Sequence, residues 1–363
     1  MSAAQMKPAD PPRASSEPAN AAPRAGFGSL LGHPLAKPLL ALATLLLLDL
    51  IFIPGFFTLE LRDGHLYGPL VDIVNRAAPL MLAALGMTLV IATRGIDISV
   101  GAVVALSGTM AAMLIGGTMV VNNGVPEYVA NTPMALALAA ALGAAVLCGA
   151  WNGVLVAGLK LQPIVATLIL MVAGRGLAQL LTDGQIVTVY YQPFFFLGSG
   201  YLLGLPFALW IVAAVLLVVG LLLKKTALGL FIQAVGINPV AARLAGVRTA
   251  TLIFFVYVFC SACAGLAGLM IASNIKSADA NNAGLLLELD AILAVTLGGT
   301  SLAGGKFSLA GSMIGALIIQ TLTYTIYSLG VPPEVNMVVK SIVVFAVCLS
   351  QSSSFKKLWK GRA

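Results

Sequence analysis

The sequence predicts an all-α, polytopic membrane protein of about ten transmembrane helices with both termini cytoplasmic. Three observations predict it. The 363 residues are 60% hydrophobic and only 9% charged, where soluble chains carry roughly 25% charged residues. Ten apolar segments reach or approach the roughly 20 residues that a helix needs to cross the hydrocarbon at ~1.5 Å of rise per residue. The basic residues gather on one side of those segments, as they do in cytoplasmic loops.

Residues 1–34 are rich in Pro, Ala and Ser and hold no apolar core, so they read as a disordered tail. They do not read as a signal peptide. The apolar run from Leu39 onward is too long, and no cleavage site follows it. The ten candidate spans are 38–56, 78–93, 99–115, 134–159, 164–181, 206–223, 251–273, 286–299, 308–329 and 335–350. The second and eighth are short, and each runs into a glycine-containing break. Together they make a transmembrane domain over 35–351, followed by a basic cytoplasmic tail, 352–363. With the N-terminal tail inside, fifteen of the 20 Lys and Arg fall on the cytoplasmic side. Arg62, Arg76 and Lys276 fall outside, and Arg175 and Lys340 lie within spans. The net charge of +7 is thereby accounted for without nucleic acid.

The longest polar stretch between spans is the cytoplasmic loop 224–250, which carries no acid. It reads as a short helix, a Gly-Ile-Asn-Pro break and a second short helix. Pro239 stops the first helix and pre-sets φ for the second, Asn238 is an N-cap, and Gly236 and Gly246 are helix stops. Such a helix pair between spans is either a mechanical handle or an ordinary basic loop.

Two stretches echo each other. Residues 82–108 and 289–316 each run from a short apolar span through a glycine-broken turn into a helix with small residues every few positions. This is what a transporter core shows where backbone lines a cavity, and also what chance gives between low-complexity apolar stretches.

Polar residues inside the bilayer cost a few kcal/mol each and need a reason. Asp97 and Ser99 begin a helix after the glycine break. Asp97 can cap that helix and pair with Arg94, and a carboxylate beside a hydroxyl also suits the hydroxyl groups of a sugar. Asn152 lies mid-span beside Trp151, either as a sugar-site pairing or as an interhelical hydrogen bond. Arg175, deep in the fifth span, is expected to pair with Asp97, Glu288 or Asp290 rather than to contact substrate directly. Glu288 and Asp290 open the eighth span. Being two apart on a helix, they point to different faces, and the helix dipole is the simpler account of both. Asp49 and Lys340 are given no role.

Several chemistries are excluded. Cys260 and Cys263 have CxxC spacing but sit mid-helix, and with Cys148 and Cys348 they read as packing residues. Two histidines make a histidine metal site implausible. The stretch 300–307, TSLAGGKF, fails as a phosphate loop because Thr300 stands at the first glycine position and Phe307 follows Lys306. There is no HExxH or GxSxG, so no catalytic residue, metal or cofactor is assigned to this chain.

Four stretches together are specific: GMTLVIATRGIDISVG (86–101), WNGVLVAGLKLQPIVATL (151–168), KTALGLFIQAVGINPVAARLAGV (225–247) and LELDAILAVTLGGTSLAGGKF (287–307). Through them the chain, from about residue 39 to 351, resembles the permease subunits of ribose- and galactose-type ABC importers of bacteria. DIVNRAAP (72–79), LMVAGRGLAQLLTDGQIVT (170–188), SADANNAG (277–284) and PPEVNMVVK (332–340) are most similar to permeases of galactofuranose importers. The resemblance implies a multi-pass bacterial inner-membrane subunit importing a monosaccharide by alternating access. Its implied partners are a cytoplasmic ATPase with two nucleotide sites that binds ATP-Mg, a second homologous permease and a periplasmic sugar-binding protein. It turns the 224–250 loop into a coupling loop, with Gly236, Asn238, Pro239, Ala241, Ala242, Arg243 and Gly246 seated against the ATPase. On the cost of their polarity in the bilayer, Asp97, Ser99, Trp151, Asn152, Arg175, Glu288 and Asp290 are the candidate substrate-pathway residues. The binding protein is expected near Glu127, Asp183, Asn281 and Asn282. The family commonly has Gly where Arg94 stands.

Overall fold

The computed structural model describes residues 35–332 apart from 63, 123 and 124, with isolated positions 335, 338, 339, 341, 342 and 345 beyond. The tails 1–34 and 352–363, Lys340 and most of the predicted span 335–350 lie outside the described residues.

The described chain is mainly helical. Helix α1 (Ala36–Phe52) is followed by a hairpin, β1 (Glu60–Arg62) and β2 (His65–Tyr67), and by α2 (Pro69–Ala92) and α3 (Val100–Ile115). A second hairpin, β3 (Thr118–Asn122) and β4 (Val125–Val129), leads to α4 (Met134–Gly153), which ends in a π-helical turn, Val154–Gly158. Then come α5 (Pro163–Leu181), β5 (Val187–Thr188), the four-residue α6 (Phe196–Ser199), the strands β6 (Tyr201–Leu202) and β7 (Leu205–Pro206), and α7 (Phe207–Lys225). Two short helices, α8 (Leu228–Ile237) and α9 (Pro239–Leu244), precede the long α10 (Thr249–Ile275). The strand β8 (Ser277–Ala278), α11 (Leu287–Leu297) and α12 (Leu309–Ser328) complete it.

Nine of the ten predicted spans coincide with helices α1 to α5, α7 and α10 to α12, most within two or three residues at each end. Among the described residues six helices are long and apolar enough to cross a membrane: α2, α4 with its π turn, α5, α7, α10 and α12. The second span is a correction. It is not short, because the helix begins at Pro69 and carries Asp72, Asn75 and Arg76 in its first turns. Those residues hide the helix from a hydropathy reading, while Pro69 at its first position favours a start there. The short strands are a second departure from an all-helical chain. Strands β1–β2, β3–β4 and β6–β7 form antiparallel hairpins, and β5 pairs with β8 through Val187↔Ala278.

The centre of the bundle is α2, whose every residue from Leu80 to Ala92 is buried, with α10 packed on it and on α3 and α4. Small residues allow that approach. A Cβ added at Gly86 would stand 2.8 Å from the Cα of Cys260, so α2 and α10 meet backbone to backbone. Cys260 and Cys263 are buried free thiols in this contact region. Asp49 on α1 is also buried, and accepts a 2.6 Å hydrogen bond from Thr325 Oγ1 on α12. By contrast α5 along its length and the second half of α7 keep leucines and valines exposed, as helices solvated by lipid do.

Candidate functional site

The break at 93–99 places three polar side chains together. Asp97, Ser99 and Asn152 are fully buried. Asp97 Oδ1 accepts from the Ser99 backbone N–H at 2.9 Å and from Ser99 Oγ at 2.6 Å. Asn152 Nδ2, from α4, donates to Ser99 Oγ at 2.9 Å and lies 3.5 Å from Asp97 Oδ1. The second oxygen of Asp97, Asn152 Oδ1 and Tyr257 Oη are buried without a partner. Asp97 thus orders the backbone leading into α3, rather than capping the helix itself, whose N-cap residue is Ser99.

Two expectations about this cluster fail. Asp97 does not pair with Arg94, whose side chain runs the other way, to Ala303 O and Ile237 O. Trp151 is 54% exposed and does not flank Asn152, because consecutive residues on a helix project about 100° apart. Sequence reasoning missed Thr167, whose Oγ1 accepts from the Ile98 N–H at 3.1 Å, and Tyr257 beside Gly95. A lone Thr or Tyr in an apolar run carries no signal of its own. The Asp97 cluster has no solvent-exposed surface in this structure.

A second locus joins α5 to the loop between β8 and α11. Arg175 Nη1 donates to Ala283 O at 2.7 Å, Ala280 O at 3.2 Å and Asn281 O at 3.3 Å. This corrects the expected pairing with a carboxylate: the guanidinium is held by backbone carbonyls. Gln179 Nε2 donates to Asn281 Oδ1 at 2.7 Å, and Asn281 Nδ2 reaches Gly184 O at 3.4 Å, beside Asp183. The side-chain amide of Asn282, with the backbone N–H groups of Asn281 and Asn282, holds the Asp279 carboxyl below its usual range. Glu288 is buried and fills the space at Gly101, where a Cβ would fall 2.3 Å from its Oε2. It therefore sits at the N-terminal end of α3, whose dipole favours a carboxylate. Asp290, two residues on, is half-buried and faces elsewhere. Glu127 lines a separate cavity of about 770 Å³ with Tyr128, Tyr191, Gln192 and Phe195.

The third locus is the helix pair α8–α9. Asn238 caps α9 as expected, its Oδ1 accepting from Val240 N and Ala241 N, both at 3.0 Å, with Pro239 at the first position. Gly246 ends the motif at φ +88°. Gly236, however, is no helix stop. It lies inside α8, and a Cβ there would stand 1.9 Å from Ala92 O and 2.4 Å from Gly305 N. Gly236 and Ala242 face the protein interior, whereas Ala241 and Arg243 are exposed. Val240 at 67% and Leu244 at 86% exposure form an outward apolar pair that sequence reasoning passed over. Their i, i+4 spacing on one helix face was the available signal.

The two echoing stretches lie against each other. Gly305 N donates to Ala92 O at 2.9 Å, Arg94 Nε to Ala303 O at 3.1 Å, and Thr88 Oγ1 on α2 to Ser312 Oγ on α12 at 2.7 Å.

Residues 70–348 match the family described as branched-chain amino acid transport system / permease component. The chain is 52% identical over 324 residues to the galactofuranose transporter permease protein YtfT of Escherichia coli (strain K12), covering 89% of this chain and 91% of that one. It is 38% identical to the fructose import permease protein FruF of Bifidobacterium longum (strain NCC 2705), covering 91% and 90%. It is also 38% identical to the ribose import permease protein RbsC of Escherichia coli (strain K12), covering 86% and 92%. No solved structure matches the chain.

Proposed function

The chain belongs to the branched-chain amino acid transport system / permease component family, and from that premise we propose that it is the membrane-spanning permease subunit of an ATP-driven bacterial sugar importer with galactofuranose as substrate. The observation that carries this reading is the 52% identity to YtfT along nearly the whole of both chains. The chain is a multi-pass protein of the bacterial inner membrane and a transport component, not an enzyme. Ten spans with cytoplasmic termini belong to this reading, and the one-sided Lys and Arg and the nine helices at predicted spans support them.

A cytoplasmic ATPase with two nucleotide sites binds ATP-Mg and docks on α9 through Val240, Ala241, Arg243 and Leu244. Gly236 and Ala242 seat the helix pair on the bundle behind that surface, while Asn238, Pro239 and Gly246 set its shape. A second, homologous permease and a periplasmic sugar-binding protein complete the importer. Sugar enters on the side of Asp183 and Asn281 and passes the levels of Arg175, Glu288 and Asp290 and then of Asp97, Ser99 and Asn152. These groups offer single hydrogen bonds to hydroxyls, and weak sites release what they bind.

The 38% relatives, with ribose and fructose in their names, favour another pentose or hexose as the second reading. Binding of galactofuranose, ribose, fructose and galactose to the associated periplasmic protein, followed by uptake in vesicles holding the complete importer, decides between them. Tight binding and uptake of galactofuranose supports the first reading, and preference for another sugar replaces it.

A further inference from the structure

We infer that Arg94 is the positioning residue that carries movement of the α8–α9 pair to the break holding Asp97. The inference rests on the reading of α9 as the ATPase-docking helix.

Arg94 stands at φ +64°, in the left-handed region that glycine occupies freely and other residues reach at a cost. Its backbone closes the end of α2: its N–H donates to Ile91 O, and the next N–H, of Gly95, donates to Val90 O, both at 2.9 Å. Its side chain is exposed yet engaged at two points. Nη2 donates to Ile237 O at 2.5 Å, and Nε to Ala303 O at 3.1 Å. Ile237 is the last residue of α8 and directly precedes Asn238, the cap of α9. A guanidinium there meets the negative end of the α8 dipole at the joint between the two helices. Ala303 belongs to the other glycine-rich break, before α12.

Contacts around this clamp leave little slack. Gly236 rests on Ala92 and Gly305 with no room for a side chain, and Gly304 rests on Arg94 Cγ, where a Cβ would fall at 2.5 Å. Asp97 lies three residues beyond Arg94, within ~10 Å of chain even if fully extended. On the way, Gly95 is pressed against Tyr257 Oη, where a Cβ would fall at 2.5 Å. A shift of the α8–α9 joint therefore pulls on the 93–99 break through Arg94, and the Asp97–Ser99–Asn152 hydrogen bonds respond. A planar fork can hold two carbonyls at once; an ammonium of the same charge lacks that geometry.

The test uses the complete importer, the full chain reconstituted with its ATPase, second permease and binding protein, and galactofuranose as the transported probe. In Arg94→Gly, which suits the backbone and deletes the clamp, assembly and basal ATP hydrolysis stay near wild type. Sugar moved per ATP falls about tenfold, as expected for losing a charged hydrogen bond that sets the coupling. Arg94→Lys falls with it. Hydrogen exchange supplies a second readout: on ATP binding, wild type changes at both 236–246 and 95–100, and Arg94→Gly changes only at 236–246. Wild-type sugar per ATP in either variant, full rescue by lysine, or failure of Arg94→Gly to assemble would overturn the inference. Leu244→Asp is the control for its premise. If that variant keeps wild-type ATPase stimulation, it is the docking reading that has failed, whatever Arg94→Gly does.

Discussion

Asp97 offers two substitutions whose difference can be worked from the structure. The two short hydrogen bonds that its Oδ1 accepts come from Ser99 N at 2.9 Å and Ser99 Oγ at 2.6 Å, with no water-exposed surface on any of the groups. Asp97→Asn keeps an oxygen in the Oδ1 place and so keeps both bonds. Asp97→Ala removes the acceptor and strands a buried backbone N–H and a buried hydroxyl, each costing about 1–3 kcal/mol. The alanine variant is therefore expected to be about 2–6 kcal/mol less stable than the asparagine variant. Thermal unfolding of the purified chain in lipid nanodiscs, followed by near-UV circular dichroism, measures the difference. Asn should unfold near wild type and Ala well below it. Equal stability of the two variants would refute the claim that Asp97 orders the entry into α3, and would make the cluster an incidental contact.

Asn152→Ala removes the donor that ties α4 to Ser99 and is expected to lower sugar uptake several-fold while the importer still assembles; unchanged uptake takes Asn152 out of the pathway. The α8–α9 pair gives a contrast between inner and outer residues. Gly236→Val drives a side chain into Ala92 O and Gly305, an overpacking cost of about 1–3 kcal/mol, and lowers thermal stability even without a partner. Leu244→Asp changes an 86% exposed residue, leaves stability alone and abolishes ATPase stimulation. Asp279 supplies the pH prediction. Its carboxyl is held below its usual range by the Asn282 amide, so the deprotonated form favours the folded loop. That contribution is complete above about pH 4 and is lost as pH falls through the depressed native value. Hydrogen exchange of residues 279–284 should rise over that acid window in wild type and show no such step in Asp279→Asn.

Much of this fold was legible because apolar runs bounded by Pro, Gly and charge define helices in a bilayer. The helix Leu309–Ser328 and the run 308–329 agree to a residue. The early start of α2 at Pro69 was hidden by Asp72, Asn75 and Arg76, since hydropathy registers apolar side chains and not helix. The cap at Asn238 was readable from local chemistry alone. Arg175 was not: its partners are carbonyls of Ala280, Asn281 and Ala283, and any residue type supplies a carbonyl. Trp151 and Gly236 were misplaced for a related reason. Neighbours in sequence project about 100° apart around a helix, and which direction is inward is decided by α10 and by Ala92, far away along the chain. The clustering of Asp97 with Asn152 is a tertiary fact, and only the polar cost of each residue was visible beforehand.

The central claim is that this chain provides the passage and a separate ATPase provides the work. Vesicles holding the two permease subunits with or without the ATPase, and with the binding protein and galactofuranose on the outer side, measure it directly. Accumulation against a gradient only when ATPase and ATP are both present is the predicted result. Uphill accumulation by the permeases alone would contradict it.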